Sequence, residues 1–104
     1  MEGLWYAHFT AGPVHGEGMA VLRDGEILGG DPAHVYSGSY QSDGPNIYAN
    51  VRVSPYALAS VPADLHRPLE LFLKGSVVGD SATVTGHPEQ KTDLKIAVEL
   101  HRAS

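Results

Sequence analysis

Histidine is the side chain best suited to bind metal or move protons near neutral pH, and this chain has six. No two of them stand two or four residues apart, the spacings that put two imidazoles on one face of a strand or helix. The spacing therefore predicts no metal site, and we expect these histidines on loops or exposed surface. The six are His8, His15, His34, His66, His87 and His101.

The other reactive side chains give no catalytic pattern. Ser37-Gly38-Ser39 lacks the G-x-S-x-G arrangement of a nucleophile elbow. Gly16-x-Gly18 lacks the third glycine and the helix of a dinucleotide site, and we interpret it as a strand bulge or kink. We predict no catalytic residue, no cofactor-binding residue and no enzymatic activity. The carboxylates, expected in turns, strand ends or solvent-facing positions, include Glu26, Asp31, Asp43, Asp64, Glu70 and Glu89.

Gly29-Gly30-Asp31 is the sharpest local signal in the chain. Two glycines permit positive φ or close backbone approach, and the aspartate that follows can accept hydrogen bonds from local amides. We interpret the motif as a structural corner in preference to a ligand contact.

Aromatic residues are the other candidates for a binding role, because they could line a cavity. An eight-stranded barrel is just wide enough to be filled by side chains or to hold one small ligand. For a chain of 104 residues, a filled interior is the default expectation. The aromatic residues are Trp5, Tyr6, Phe9, Tyr36, Tyr40, Tyr48, Tyr56 and Phe72.

Period-two alternation separated by glycine-rich turns positions these residues on strands. It predicts an all-β fold of eight short strands, closed as an antiparallel up-and-down barrel that leaves no exposed edge. A two-sheet sandwich fits the same periodicity and stays open as an alternative. One short helical or irregular crossing is expected near residues 55–67. The predicted strands are 3–10, 16–23, 26–30, 34–41, 46–54, 69–74, 82–85 and 93–101.

Composition excludes several classes of function. A chain of 104 residues supports a single domain over 1–104. Its net charge of -5 and seven scattered basic residues argue against nucleic-acid binding. The absence of cysteine removes disulfides and thiolate sites. No apolar run reaches the length of a membrane helix and no secretion signal opens the sequence, so we expect a cytoplasmic protein without a membrane partner.

Several motifs together resemble the GrlR-like family, named for a negative regulator of type III secretion. The resemblance covers most of the chain and is strongest over residues 3–53. Its motifs are Gly3-Leu4-Trp5, Gly16-x-Gly18, Gly29-Gly30-Asp31 and Val35-Tyr36-x-Gly38-x-Tyr40.

The resemblance implies a lipocalin-like, or calycin-like, eight-stranded barrel that forms a homodimer. The founding regulator has no known enzymatic activity and silences a transcriptional activator by binding it. An acidic turn of that regulator is tied to activator binding. The matching turn here contains Ser42, Asp43 and Gly44, of which only Asp43 is acidic.

Three functions follow as hypotheses. The first is a non-enzymatic regulatory barrel that binds a regulatory protein, with Ser42, Asp43 and Gly44 as its contact. The second is a lipocalin-like carrier or sensor of a small apolar ligand. An enzyme whose site is assembled from distant Asp, His and Tyr residues is the least favoured.

Overall fold

Alternating side chains turn one face of each strand inward and the other toward solvent. The computed structural model describes residues 1–55 and 68–104, and these form eight strands. Along β5, for example, Ile47 and Ala49 are buried while Tyr48 and Asn50 between and after them are exposed. The strands are β1 (Gly3–Ala11), β2 (Val14–Arg23), β3 (Glu26–Gly30), β4 (His34–Asp43), β5 (Asn46–Pro55), β6 (Leu69–Val78), β7 (Ser81–Pro88) and β8 (Ile96–Arg102).

Each strand pairs antiparallel with the next one in the chain, and β8 pairs with β1 to close a barrel. Closure gives the backbone groups of every strand a neighbour on both sides. The pairing of Trp5 with Arg102 and of Ala11 with Ile96 marks the two ends of the closing seam. The closed barrel confirms the predicted architecture and the all-β class, and it excludes the alternative of a two-sheet sandwich.

Tight turns join β2 to β3 and β4 to β5, as the sequence predicts. Asp24 and Gly25 connect β2 to β3, and both have positive φ, 54° and 80°. Two consecutive positive φ values are the signature of a type I′ hairpin, whose twist matches the paired strands. Gly44, with φ of 60°, begins the corresponding turn between β4 and β5.

Strand boundaries differ from the prediction mainly in the last third of the chain. β6 and β7 extend to Val78 and Pro88, beyond their predicted ends. β8 begins at Ile96, three residues later than predicted, because residues 91–94 turn, with the Leu94 amide donating to the Lys91 carbonyl at 3.1 Å. The crossing expected near 55–67 lies outside the described residues, apart from Pro55, which ends β5. Among the described residues, no helix is long and apolar enough to cross a membrane.

Candidate functional site

The two ends of the barrel differ in how they are filled. At the end where β1 begins, Trp5 is fully buried and Tyr40 is buried beside it in the core. The guanidinium of Arg102 lies over the Trp5 ring, 4.5 Å from its centroid, which is cation–π geometry. Arg102 also donates to the Asp80 carboxylate at 3.0 Å and to the Glu2 carbonyl oxygen. We call this the filled end.

The rest of the interior holds an apolar cavity of about 230 Å³. Four inward positions of its lining carry alanine, of which Ala7 and Ala11 lie toward the open end and Ala20 and Ala49 pair with Trp5 and Tyr40. The strands therefore enclose more space than their side chains occupy. The expectation of a filled interior is therefore wrong for this half of the barrel. We call it the hollow end. Larger apolar side chains complete the lining, at Phe9, Leu22, Ile27, Ile47, Val51, Val53, Leu69, Leu71, Leu73, Val84, Ile96, Val98 and Leu100.

Three polar residues also line this cavity: Asp31, His34 and Tyr36. Asp31 follows β3 directly, and its Oδ1 accepts hydrogen bonds from the Ala33 and His34 amides, both at 2.8 Å. The same oxygen lies 3.2 Å from Nδ1 of His34, and the Tyr36 hydroxyl donates to Oδ2. The Asp31 amide closes the connection by donating to the His34 carbonyl at 3.0 Å. We call these three residues the polar cluster.

Electrostatics fix the protonation of two members of the cluster, Asp31 and Tyr36, near neutral pH. The Asp31 side chain is only 8% exposed. Burial opposes its charge, but the hydrogen bonds from Tyr36, the Ala33 amide and His34 outweigh burial and lower the pKa of the carboxyl below its ordinary value. Burial, the hydrogen bond to Asp31 and the charge of Asp31 all raise the pKa of the Tyr36 hydroxyl. Asp31 is thus a carboxylate and Tyr36 a neutral donor.

Glycines on β2 make room for the aromatic rings that border the cavity. A Cβ at Gly18 would lie 2.9 Å from the Tyr36 hydroxyl oxygen and 2.7 Å from the Gly30 carbonyl oxygen. Gly16 pairs directly with Phe9, whose ring occupies the space that a Cβ would need. The predicted bulge at these glycines is wrong, because the β1–β2 register is continuous.

Comparison with protein-family models and with curated proteins found no match. What the site does therefore rests on its own geometry. Within residues 1–55 and 68–104, no three His, Asp or Glu side chains converge in a way that could hold a metal ion. The cluster has an oriented imidazole, and the described residues that line the cavity include no serine, threonine or lysine that it could activate.

The glycine and tyrosine motif from the sequence lies on β3 and β4, next to the cluster. A Cβ at Gly29 or Gly38 would overlap a backbone carbonyl oxygen of the neighbouring strand, so both positions require close backbone approach. Gly30 ends β3, Tyr36 joins the polar cluster, and Tyr40 belongs to the filled end. The hydrogen bonds that Asp31 was expected to accept from local amides are present.

His34 is the member of the cluster that the sequence interpretation missed, since it was grouped with loop and surface histidines. Its signal was local: an aspartate three residues earlier in a connection that contains Pro32. A carboxylate that binds the amides of the next turn also brings the imidazole at this position within its reach.

The turn predicted to contact a partner protein lies at the filled end, opposite the end that carries the polar cluster. Ser42 and Asp43 end β4, Gly44 begins the turn to β5, and all three are exposed. The carbonyl of Pro45 in the same turn accepts a hydrogen bond of 2.8 Å from the Val77 amide. This contact fixes the base of the turn and leaves its tip toward solvent.

An apolar patch covers the outside of β1, β2 and β3. Leu4 pairs with Val21 and Val21 pairs with Leu28, which makes one row across the three strands. Tyr6 and Met19 pair in the adjacent row. Leu28 is 62% exposed and Tyr6 is 53% exposed. We call these five residues the outer apolar face.

Charged pairs border that face on two sides. Arg23 pairs with Glu26 beyond the Leu28 row, and His8 lies 3.4 Å from Glu17 beyond the Tyr6 row. An apolar centre with a charged border is the usual anatomy of a protein interface.

Proposed function

We propose that the chain is a non-enzymatic binding barrel that carries or senses a small apolar ligand inside its hollow end. The observation that supports this is the cavity of about 230 Å³, lined almost wholly by apolar side chains. It exceeds the roughly 150 Å³ apolar cavity that binds benzene. It falls just below the range of about 300–1,000 Å³ common for drug-sized ligands. The ligand is therefore expected to be small.

The experiment that tests this proposal is a titration with the hydrocarbon 4-ethyltoluene, followed by NMR on the isotope-labelled protein. We expect saturable binding at one site, with shifts concentrated on residues such as Ala49 and Val84. Ala49→Phe fills the cavity and should abolish binding. Thr83→Phe adds a similar ring on the exposed side of β7 and should leave binding intact.

The thermal midpoint gives an independent readout of the same binding. A ligand that binds only the folded state raises stability by RT ln(1 + [L]/Kd). We expect the native chain and Thr83→Phe to gain stability with added ligand, and Ala49→Phe to gain none. Absence of binding to the native chain, or equal binding to Ala49→Phe, would contradict the proposal.

A second candidate function is a regulatory protein-interaction barrel of the GrlR type that acts as a homodimer. The outer apolar face favours it, because isolated monomers seldom leave such rows of apolar side chains exposed. A second copy is the occupant we propose. Arg23 and Glu26, neighbours in the β2–β3 register at the border of the face, carry opposite charges, so a two-fold-related copy can meet each with its opposite.

Light scattering after size exclusion tests the dimer. Leu28→Glu places a charge in the centre of the outer apolar face and should give monomers. Val78→Glu changes a still more exposed apolar residue outside that face and should leave the dimer unchanged. A native chain that is monomeric at about 100 µM would refute the dimer.

The exposed turn of Ser42, Asp43 and Gly44 is the contact that we propose for a regulatory partner protein. Capture from host extract by the native chain, and loss of the same captured protein with Asp43→Ala, would support this role. Equal capture by both chains would refute it.

A further inference from the structure

We propose that the ligand of the hollow end is a neutral apolar molecule of about nine non-hydrogen atoms with one hydrogen-bond donor, such as an alcohol or phenol hydroxyl. The acceptor for that donor is Nε2 of His34. This inference rests on the proposed binding function and names the chemistry of its ligand. The size follows by proportion, since about 150 Å³ holds the six carbons of benzene and this cavity has about 230 Å³.

The polar cluster presents few polar atoms to a ligand, because most are already used. Asp31 Oδ1 accepts from two backbone amides and lies 3.2 Å from Nδ1 of His34, and Oδ2 accepts from Tyr36. The Tyr36 hydroxyl has one proton to donate, and it donates that proton to Oδ2. Neither Asp31 nor Tyr36 therefore needs a ligand to satisfy it.

His34 keeps one ring nitrogen for a ligand. An ionised carboxylate can only accept hydrogen bonds, so the nitrogen that faces Asp31, Nδ1, must carry the proton. In the neutral imidazole Nε2 then has a free lone pair. Among the described residues no hydrogen bond to Nε2 is formed, and the ring lines the cavity with its side chain 34% exposed.

The surroundings select the charge and polarity of the ligand. A carboxylate head would meet the negative charge of Asp31 at close range, which is unfavourable in an apolar cavity. A charged amine would lose its hydration against a lining made almost wholly of hydrocarbon. A neutral donor avoids both costs and gains the hydrogen bond to Nε2.

Three compounds of nine non-hydrogen atoms test this at pH 8 by calorimetric or NMR titration. Each is a para-substituted benzene: 4-ethylphenol donates a hydrogen bond, 4-methylanisole can only accept one, and 4-ethyltoluene does neither. We compare the native chain with His34→Phe, which removes the acceptor, His34→Gln, which restores one as an amide oxygen, and His15→Phe, which changes an exposed histidine of β2.

We expect His34→Phe to weaken binding of 4-ethylphenol about tenfold, because the buried hydroxyl loses its acceptor. Binding of 4-ethyltoluene should change by less than twofold. His34→Gln should recover most of the phenol affinity, and His15→Phe should behave as the native chain. The native chain should also bind 4-ethylphenol more tightly than its isomer 4-methylanisole, a comparison that needs no variant to fold.

The possible failures are distinct. If no compound binds the native chain, the proposed function is wrong and the inference falls with it. Suppose instead that 4-ethyltoluene binds the native chain. If 4-ethylphenol then binds no more tightly than 4-methylanisole, or if its affinity is unchanged in His34→Phe, the proposed function stands and the role of His34 is refuted.

Discussion

Replacement of Asp31 by Asn should cost the protein stability at neutral pH and very little in acid. The variant keeps an oxygen that can accept from the Ala33 and His34 amides, but it has no charge. It also turns an amide NH₂ toward the Tyr36 hydroxyl, which must rotate to accept instead of donate. Asp31→Ala removes every acceptor and leaves the Tyr36 hydroxyl unpaired.

The magnitude follows from the four contacts on this carboxylate. A hydrogen bond to a charged group contributes about 1 kcal/mol more than a neutral one, so four contacts lose about 4 kcal/mol. Asn is neutral, so the variant no longer buries a charge on a side chain that is only 8% exposed. That recovers about 2–3 kcal/mol of stability. The net cost of Asp31→Asn is then about 1–2 kcal/mol, or about 4–16 °C in Tm. Asp31→Ala should cost about 3 kcal/mol because a buried donor is left without a partner.

The pH dependence of the free energy of unfolding shows whether the charge of Asp31 stabilises the folded state. The folded-state pKa of Asp31 lies below its ordinary value of 3.8, so its stabilisation is complete above that value and is lost as pH falls below it. Between about pH 5 and pH 2, we expect the free energy of unfolding of the native chain to fall more steeply than that of Asp31→Asn. The free energies of unfolding of the two proteins should converge in acid.

Urea unfolding at a series of pH values, followed by the fluorescence of the single tryptophan, measures this difference. Asp43→Asn is the matched control, because it makes the same chemical change at an exposed residue next to a turn. A gap between the native chain and Asp31→Asn that stays constant from pH 7 to pH 2.5 would refute the reasoning, as would equal stability at pH 7.

Three further predictions concern the frame around the site, each measured by chemical unfolding. Arg102→Met should destabilise by about 1–2 kcal/mol, because it removes the contact with Trp5 together with the hydrogen bonds to Asp80 and Glu2. Arg52→Met breaks only an exposed ion pair and should cost less than about 0.5 kcal/mol. Equal losses would contradict this. Gly18→Ala should cost about 2 kcal/mol, because the new Cβ crowds Tyr36 and a neighbouring carbonyl oxygen, and a neutral effect would refute the close contact. Burial and Asp31 raise the pKa of Tyr36, so the unfolded state loses the tyrosine proton at lower pH than the folded state. Above about pH 10, stability should therefore fall more steeply in the native chain than in Tyr36→Phe. Parallel curves would count against this prediction.

The barrel could be predicted because its information is local. Alternation fixed the inward and outward residues of each strand, and Asp24-Gly25 specified a turn with two positive φ values. The start of β8 was harder to place. Leu94 continues the alternating pattern, yet its amide is used in a turn with Lys91, and the pattern alone contains no sign of that hydrogen bond.

The site could be predicted only in part. The hydrogen bonds that Asp31 accepts from nearby amides follow from sequence, whereas the one that it accepts from Tyr36 depends on how β3 and β4 pair. Glycines at 16 and 18 suggested a bulge, because a glycine in a strand pattern usually marks one. Their actual role is to leave space for rings on other strands, which single-strand patterns do not encode.

The cavity itself arises from a contrast between the two ends of one barrel. The filled end uses Trp5 and Tyr40 to occupy the interior, and Arg102 holds Trp5 in place. Beyond them, β1 places Ala7 and Ala11 inward, which costs packing energy that larger side chains would recover. A charged aspartate buried at the hollow end costs more stability still unless its partners are complete. An empty cavity and an imidazole held in a fixed orientation are features that a ligand site requires. An eight-stranded barrel needs neither of them in order to close.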